Sequence, residues 1–234
     1  MKVVILAGGM GTRLRPLTFS IPKPLLPVGE KPILETILSR LRSHSLTDII
    51  ITVGYKSELI KTYFGDGSKF GVDIQYSEES KRSGTAGPLR LVKDRFNINE
   101  PLLVMNGDII TKLNFKEMID FHIKNNVDLT VGIKEHKSQT PYGIIELNGN
   151  RIKEIKEKPE SKFNISTGIY IINPSVLELI PKNEFYNMPD LIEKSIELGK
   201  RVFGFFIKEY WSAIEYLDDL NRANKKLTDG QVDI

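Results

Sequence analysis

Gly8, Gly9 and Gly11 follow directly on the apolar run Val3 to Leu6, and Arg13 and Lys23 stand just beyond them, Lys23 between Pro22 and Pro24. A turn of that composition lets backbone N–H groups converge where side chains would clash, and two cations beside it can neutralise a bound triphosphate. The spacing fits neither the dinucleotide fingerprint nor the P-loop. Three glycines alone suit a tight strand-to-helix turn equally well. Arg13, Arg15 and the proline-braced Lys23 shift the reading towards an anion, because two proline rings restrict the backbone around a lysine that solvation alone would leave free.

Other groups have the types, though not by themselves the context, for chemistry. Asn106-Gly107-Asp108 follows the apolar run Leu102 to Met105, which puts a carboxylate at the end of a buried strand. One carboxylate there can anchor Mg²⁺ together with phosphate oxygens, and it suits a turn or helix-capping aspartate just as well. Glu157 and Lys158 lie in the Lys/Glu-rich run Arg151 to Lys162, which alone reads as a solvated face. His44, His122 and His136 lack metal-ligand spacing, and Trp211 reads as a core aromatic.

Leu6 to Thr18 followed by Pro22 to Val28 resembles the signature of the sugar-1-phosphate nucleotidylyltransferases, closest to their mannose-1-phosphate guanylyltransferase branch. Gly84 to Leu89, Asn106 to Asp108, Pro141-Tyr142-Gly143, Glu157-Lys158-Pro159 and Thr167 to Tyr170 extend the match in the family's order. The resemblance implies joining of a nucleoside triphosphate to a hexose-1-phosphate with loss of pyrophosphate. It gives Arg13, Lys23 and Asp108 catalytic roles, Asp108 as the Mg²⁺ ligand. Leu6, Ala7, Gly8, Gly9, Gly11, Thr12, Gly84 and Asn106 become nucleotide-binding, with Glu78 or Glu79 accepting from a base N–H. Gly143, Glu157, Lys158, Thr167 and Gly168 become sugar-phosphate-binding, Lys158 on the phosphate and Glu157 on sugar hydroxyls. GTP is the expected donor, and thymidylyl, uridylyl or cytidylyl transfer the alternatives.

One segment departs from the family. Where its members carry Trp-x-Asp-Ile/Val-Gly, this chain reads Trp211-Ser212-Ala213-Ile214-Glu215. Ala213 cannot ligate a metal. In an extended chain Glu215 faces the same side one strand step further on, so it is the candidate substitute ligand. Asp108 acting alone with lower activity, and a non-catalytic nucleotide-sugar-binding regulator, are the other readings. Lys81-Arg82-Ser83 also replaces a more usual Pro-Leu before Gly84, adding two cations near the expected base site.

The elements that must position these groups alternate. Apolar runs Val3–Leu6, Ile49–Val53, Val72–Tyr76 and Leu102–Met105 are each followed by a helical stretch, at Ile33–Leu41, Ser57–Phe64, Pro88–Lys93 and Phe115–Lys124. This predicts βαβ units on a doubly wound, mostly parallel sheet, with ligands beyond the strands' C-terminal ends. From Leu129 shorter strands take over, at Leu129–Lys134, Gly143–Leu147, Arg151–Ile155 and Gly168–Ile172, with a hairpin signal at Asn148-Gly149-Asn150. Helices Pro174–Ile180 and Pro189–Leu198, a strand Val202–Lys208 and a helix near Leu217–Lys226 complete the expectation. The fold class is thus α/β, and the resemblance makes it Rossmann-like and glycosyltransferase-A-like with a small antiparallel sugar-binding lobe. Residues 1–227 read as one nucleotidyltransferase domain, 1–128 for the nucleotide and 129–227 for the sugar phosphate, with 228–234 a loose tail.

Composition sets the outer limits. With 234 residues the chain can bury a sizeable core, and a net charge of +3 with dispersed lysines argues against nucleic acid as a partner. No cysteine is present, which excludes disulfides and thiolate metal sites. No apolar run reaches bilayer length and no signal-peptide pattern opens the chain, so a cytoplasmic protein without a membrane partner is expected. The resemblance adds homo-oligomeric assembly as a family habit, without the C-terminal repeat domain that many relatives append.

Overall fold

The computed structural model describes residues 1–230. In chain order the elements are β1 (Val3–Leu6), β2 (Pro27–Val28), β3 (Lys31–Pro32), α1 (Ile33–Ser43), β4 (Asp48–Val53), α2 (Ser57–Phe64), β5 (Asp73–Glu78), α3 (Gly87–Phe96), β6 (Leu102–Asn106), β7 (Ile109–Thr111) and α4 (Phe115–Lys124). There follow β8 (Leu129–Gln139), β9 (Ile144–Asn148), β10 (Arg151–Lys156), β11 (Glu160–Ile172), α5 (Pro174–Leu177), α6 (Met188–Glu197), β12 (Val202–Phe206), β13 (Trp211–Ala213) and α7 (Leu217–Thr228).

Seven strands form the central sheet in the order β12-β8-β11-β6-β1-β4-β5. The stretch β6-β1-β4-β5 is parallel, β11 runs antiparallel to both neighbours, and β12 is parallel to β8. Parallel strands covered on both faces need apolar residues at every position, and Ile49 to Val53 are indeed all buried. Val3, Ile5, Ile49, Ile51, Leu103 and Met105 face a layer containing α1, α2, α4 and α7. Val4, Ile50, Leu102 and Val104 face the layer of α3, α5 and α6. The doubly wound prediction therefore holds, and the pleat assigns alternate residues of each strand to opposite layers.

The second half differs from expectation in where its strands end. β8 and β11 run well beyond Leu129–Lys134 and Gly168–Ile172, and they belong to the central sheet. Their outer ends are exposed and polar, which hides them from a search for apolar runs; cross-strand pairs Lys137–Glu160 (3.3 Å) and Lys162–Glu135 (3.4 Å) link them. The run Arg151 to Lys162 is thus β10 plus the start of β11. Of the four short strands expected after Leu129, only those of the hairpin β9–β10 lie outside the central sheet, turning at Gly149-Asn150 as the sequence signal requires. The helix expected over Pro174–Ile180 is shorter, and the pairings β2–β3 and β7–β13 were not foreseen. Of the expected tail, Thr228 still belongs to α7, and residues 231–234 lie outside the described part. No helix among the described residues is long and apolar enough to cross a membrane.

Candidate active site

The parallel register brings Leu6, Thr52, Ser77 and Asn106 into one row at the C-terminal strand ends, on the face that carries α3. The glycine turn leaves β1 at this row, where Ala7 N–H donates to Thr52 O (3.0 Å). Beyond the row lies a cavity of about 260 Å³ whose wall includes Leu6, Gly8, Gly9, Gly84, Asn106 and Asp108, all predicted from sequence.

The pleat also decides which glutamate reaches this cavity. Glu78, predicted as the base acceptor, turns to the opposite face, where Ser57 Oγ (2.9 Å) and Lys61 Nζ (3.1 Å) of α2 donate to it. Of the two glutamates expected near the base, Glu78 is therefore not at the cavity, whereas Glu79 forms part of its wall. Successive side chains on a strand alternate faces, so one position in register exchanges a surface ion pair for a place in the cavity wall. Ser83 Oγ donates to Glu79 Oε2 (2.6 Å), and burial pushes the Glu79 carboxyl above the usual carboxylate range.

Phe185 and Asn187, from the loop before α6, close the cavity about a hundred residues away from Gly84 in sequence. Ala86 N–H donates to Tyr186 O (2.9 Å), which ties the two loops together. Gly84 has φ +87° and lies so close to Tyr186 O that a Cβ would overlap it. Gly84→Ala is expected to cost about 1–3 kcal/mol of unfolding free energy in denaturant titration. It should also weaken nucleotide binding in calorimetry, because the loop must move to admit the methyl. Of the two extra cations, Arg82 joins the wall, whereas Lys81 Nζ donates to Asn183 O (2.8 Å).

Where the phosphates are expected, Gly11 leads into a short 3-10 turn over Thr12–Leu14, and Lys23 opens another over Lys23–Leu25. The two turns touch, since a Cβ on Gly11 would lie 3.2 Å from Lys23 Cβ. Lys23 Nζ donates to Asp108 Oδ2 in a largely buried ion pair. Asp108 Oδ1 is buried without any partner. Arg13 pairs with Glu215, and its guanidinium lies 5.4 Å from the centre of the Tyr216 ring. Ile214 N–H donates to Asp108 O (2.9 Å), and Ala213 pairs with Ile109 across β13–β7, so the departure segment borders Asp108 directly.

The residues expected on the sugar side are more dispersed. Glu157 and Gly143 adjoin at the base of the hairpin, where a Cβ on Gly143 would lie 3.1 Å from Glu157 Oε2. Lys158 is exposed and has φ +43°, with its carbonyl accepting from Gln139 Nε2 (3.2 Å). Thr167 and Gly168 occupy the irregularity between Ser166 and Tyr170 of β11, Gly168 against Asn106. Thr167 spends its hydroxyl on Gly132 O (2.8 Å) and its carbonyl on Trp211 Nε1 (3.0 Å). His122 is buried between Thr130 and Asn173, and burial lowers its pKa, as suits a core histidine. Among the described residues no group of three or more His, Cys, Asp or Glu side chains could hold a metal.

A doubly wound sheet with cavity, glycine turn and cations at the strand ends is the architecture of an α/β nucleotide-binding enzyme. A family model described as nucleotidyl transferase matches residues 2–230. The D-glycero-alpha-D-manno-heptose 1-phosphate guanylyltransferase of Aneurinibacillus thermoaerophilus is 34% identical over 229 residues, 97% of this chain and 98% of that enzyme. The mannose-1-phosphate guanyltransferase of Saccharomyces cerevisiae is 34% identical over 253 residues, 98% of this chain and 69% of its own length. A Bacillus anthracis structure described as a glucose-1-phosphate thymidylyltransferase superposes with a TM-score of 0.80 at 28% identity, covering 100% of this chain and 97% of its own. The chain belongs to the nucleotidyl transferase family, among its sugar-1-phosphate members, and is an enzyme of that family.

Proposed function

We propose that this enzyme transfers a guanylyl group from GTP to a hexose-1-phosphate. The observation that carries the donor assignment is Glu79, a half-buried carboxylate in the cavity wall with no ion-pair partner among the described residues. Guanine offers adjacent N1–H and N2–H donors on one edge, which a carboxylate accepts well. The guanylyltransferase relatives support the same choice.

In this reading residues 1–128, joined by Phe185 and Asn187 at the cavity wall, hold the nucleotide, and the rest of 129–227 the sugar phosphate. Leu6, Ala7, Gly8, Gly9, Gly11, Thr12, Gly84 and Asn106 surround the nucleotide. Arg13 takes the β- and γ-phosphates bidentately, and Lys23 the α-phosphate as charge builds in the transition state. Lys158 holds the acceptor's phosphate, Glu157 its hydroxyls, and Gly143, Thr167 and Gly168 shape the sugar site. The acceptor oxygen is already anionic at neutral pH, so attack needs no general base. A bond forms from that oxygen to the α-phosphorus, the α–β bridging bond breaks, and its electron pair leaves with pyrophosphate. Positioning and charge neutralisation supply the rate.

Lys23 and Arg13 must first exchange Asp108 and Glu215 for phosphate oxygens. Mg²⁺, when bound, neutralises charge between the phosphate oxygens. Asp108 is the residue that would hold it, since its unpartnered Oδ1 is the donor such a hard cation takes. Ala213 offers no ligand, and Glu215, the candidate substitute, is occupied by Arg13 in the unliganded protein. The same reading has the enzyme act in the cytoplasm on small molecules, without nucleic acid or membrane.

Pyrophosphate release measured with GTP, dTTP, UTP, CTP and ATP against several sugar-1-phosphates tests the proposal. GTP is expected to exceed the others by about a hundredfold in kcat/KM. Equal use of dTTP or UTP would overturn the donor assignment, and silence across the panel with Mg²⁺ present would overturn the mechanism. Protonated Glu79 can no longer accept from both donors, so KM for GTP should rise as pH falls through its raised pKa. Glu79→Gln should flatten that dependence.

A further inference from the structure

Thr52 stands in the middle of the strand-end row, and its hydroxyl is spoken for by nothing. Its carbonyl is held by Ala7 N–H (3.0 Å), so the backbone is fixed, yet its Oγ1 is buried without a hydrogen-bond partner and the residue forms part of the cavity wall. A buried hydroxyl left unpaired is destabilising, and a valine would fill the same volume without that cost. Thr52 is fully buried in the unliganded protein, so its O–H meets what enters only as the wall adjusts around it, by rotation about χ1 and a small movement of its neighbours.

We infer that Thr52 is a base-selecting residue: its hydroxyl donates to the ring keto oxygen of the nucleotide base while Glu79 accepts from the adjoining ring N–H. Together the two side chains read a keto–imino edge. Guanine presents that edge as O6 with N1–H, and uracil and thymine present it as O4 with N3–H. Adenine and cytosine present the reverse, an amino donor beside a bare ring nitrogen, whose lone pair would face the Glu79 carboxylate. A site built to pair with polar groups discriminates strongly, because the wrong base leaves them buried and unmatched. The inference rests on the proposed nucleotide site but not on guanine being the base.

Thr52→Val, Thr52→Ser and Ser77→Ala separate the possibilities. Ser77 is aligned with Thr52 across β4–β5 and its Oγ is equally buried and unpartnered, but it is not part of the cavity wall. It therefore controls for the loss of a buried hydroxyl as such. Thr52→Val should lower kcat/KM for GTP by about 10- to 100-fold and reduce the preference for GTP over ATP, with the thermal midpoint unchanged or higher. Thr52→Ser should keep most of the selectivity, and Ser77→Ala all of it. ITP retains O6 but lacks the 2-amino group, so Thr52→Val should cost ITP the same factor as GTP. If the wild-type enzyme prefers UTP or dTTP, the guanylyl reading fails, while the same loss on that base still supports Thr52. A Thr52→Val enzyme that keeps its preference for keto bases, or one that loses no more than Ser77→Ala, would overturn the inference.

Discussion

Asp108→Asn is expected to lower kcat/KM for nucleotidyl transfer by about a thousandfold and to leave a rate that no longer responds to Mg²⁺. The substitution is isosteric and keeps one acceptor oxygen, but it removes the charge and replaces the other oxygen with an N–H donor. That charge does two things here. Through Oδ2 it holds Lys23 against the glycine turn, and through Oδ1, which has no hydrogen-bond partner among the described residues, it offers a free carboxylate oxygen at the cavity wall. A thousandfold corresponds to about 4 kcal/mol of transition-state stabilisation, within what a metal-anchoring carboxylate supplies. Because Ala213 contributes no oxygen, no neighbouring aspartate of β13 can compensate. The fold should survive, with a thermal midpoint within a few degrees. GTP binding without metal should persist when followed by the fluorescence of the only tryptophan, Trp211, whose strand pairs with β7 just after Asp108. An Asp108→Asn enzyme retaining a tenth of the wild-type rate would remove Asp108 from the mechanism.

Lys23→Ala should be comparably severe, about two to three orders of magnitude, and the loss should fall on kcat more than on KM for GTP. An interaction that strengthens only as charge develops at the α-phosphate is lost from the transition state and not from the ground state. Lys23 is largely buried, packed by Gly11 and flanked by Pro22 and Pro24, so its ammonium has little freedom to be replaced by solvent. Lys23→Arg should not restore activity, because a planar fork cannot fit where a compact ammonium lies beside Asp108. Combined with Asp108→Asn, the loss should be much less than the product of the single effects, since the two residues form one ion pair. A fully multiplicative double variant in single-turnover assays would show that they act separately.

Much of this was legible in the chain, and the gaps have physical causes. The cores of β1, β4 and β6 were readable because strands buried on both faces are mostly apolar, whereas edge strand β5 was readable from its alternation of Val72, Ile74 and Tyr76 with polar residues. Helices α2 and α4 fall where their apolar periodicity puts them. The outer halves of β8 and β11 were not readable, because they are exposed on both sides and held by cross-strand ion pairs. Their sequence is that of a solvated surface. In the site, the glycine turn, Lys23 and Asp108 could be found as neighbours of apolar runs, since local chemistry is written in adjacent residues. Phe185 and Asn187 left no such signal. They reach the cavity only because the loop before α6 is bonded to the loop before α3.

The amino-acid sequence by itself thus determined a glycine turn with two cations beside it, a doubly wound sheet to carry it, and the motifs of a sugar-1-phosphate nucleotidyl transferase. Tertiary structure alone decided which side chains share that site. It turned Glu79 inward and Glu78 out to α2, and it set the unpaired hydroxyl of Thr52 at the cavity wall. It also gave Arg13 the carboxylate of Glu215 as its resting partner. The reason is the same in each case. Residue types and short spacings state what chemistry is available, whereas the face a side chain takes depends on strand register and on packing between segments far apart in the chain.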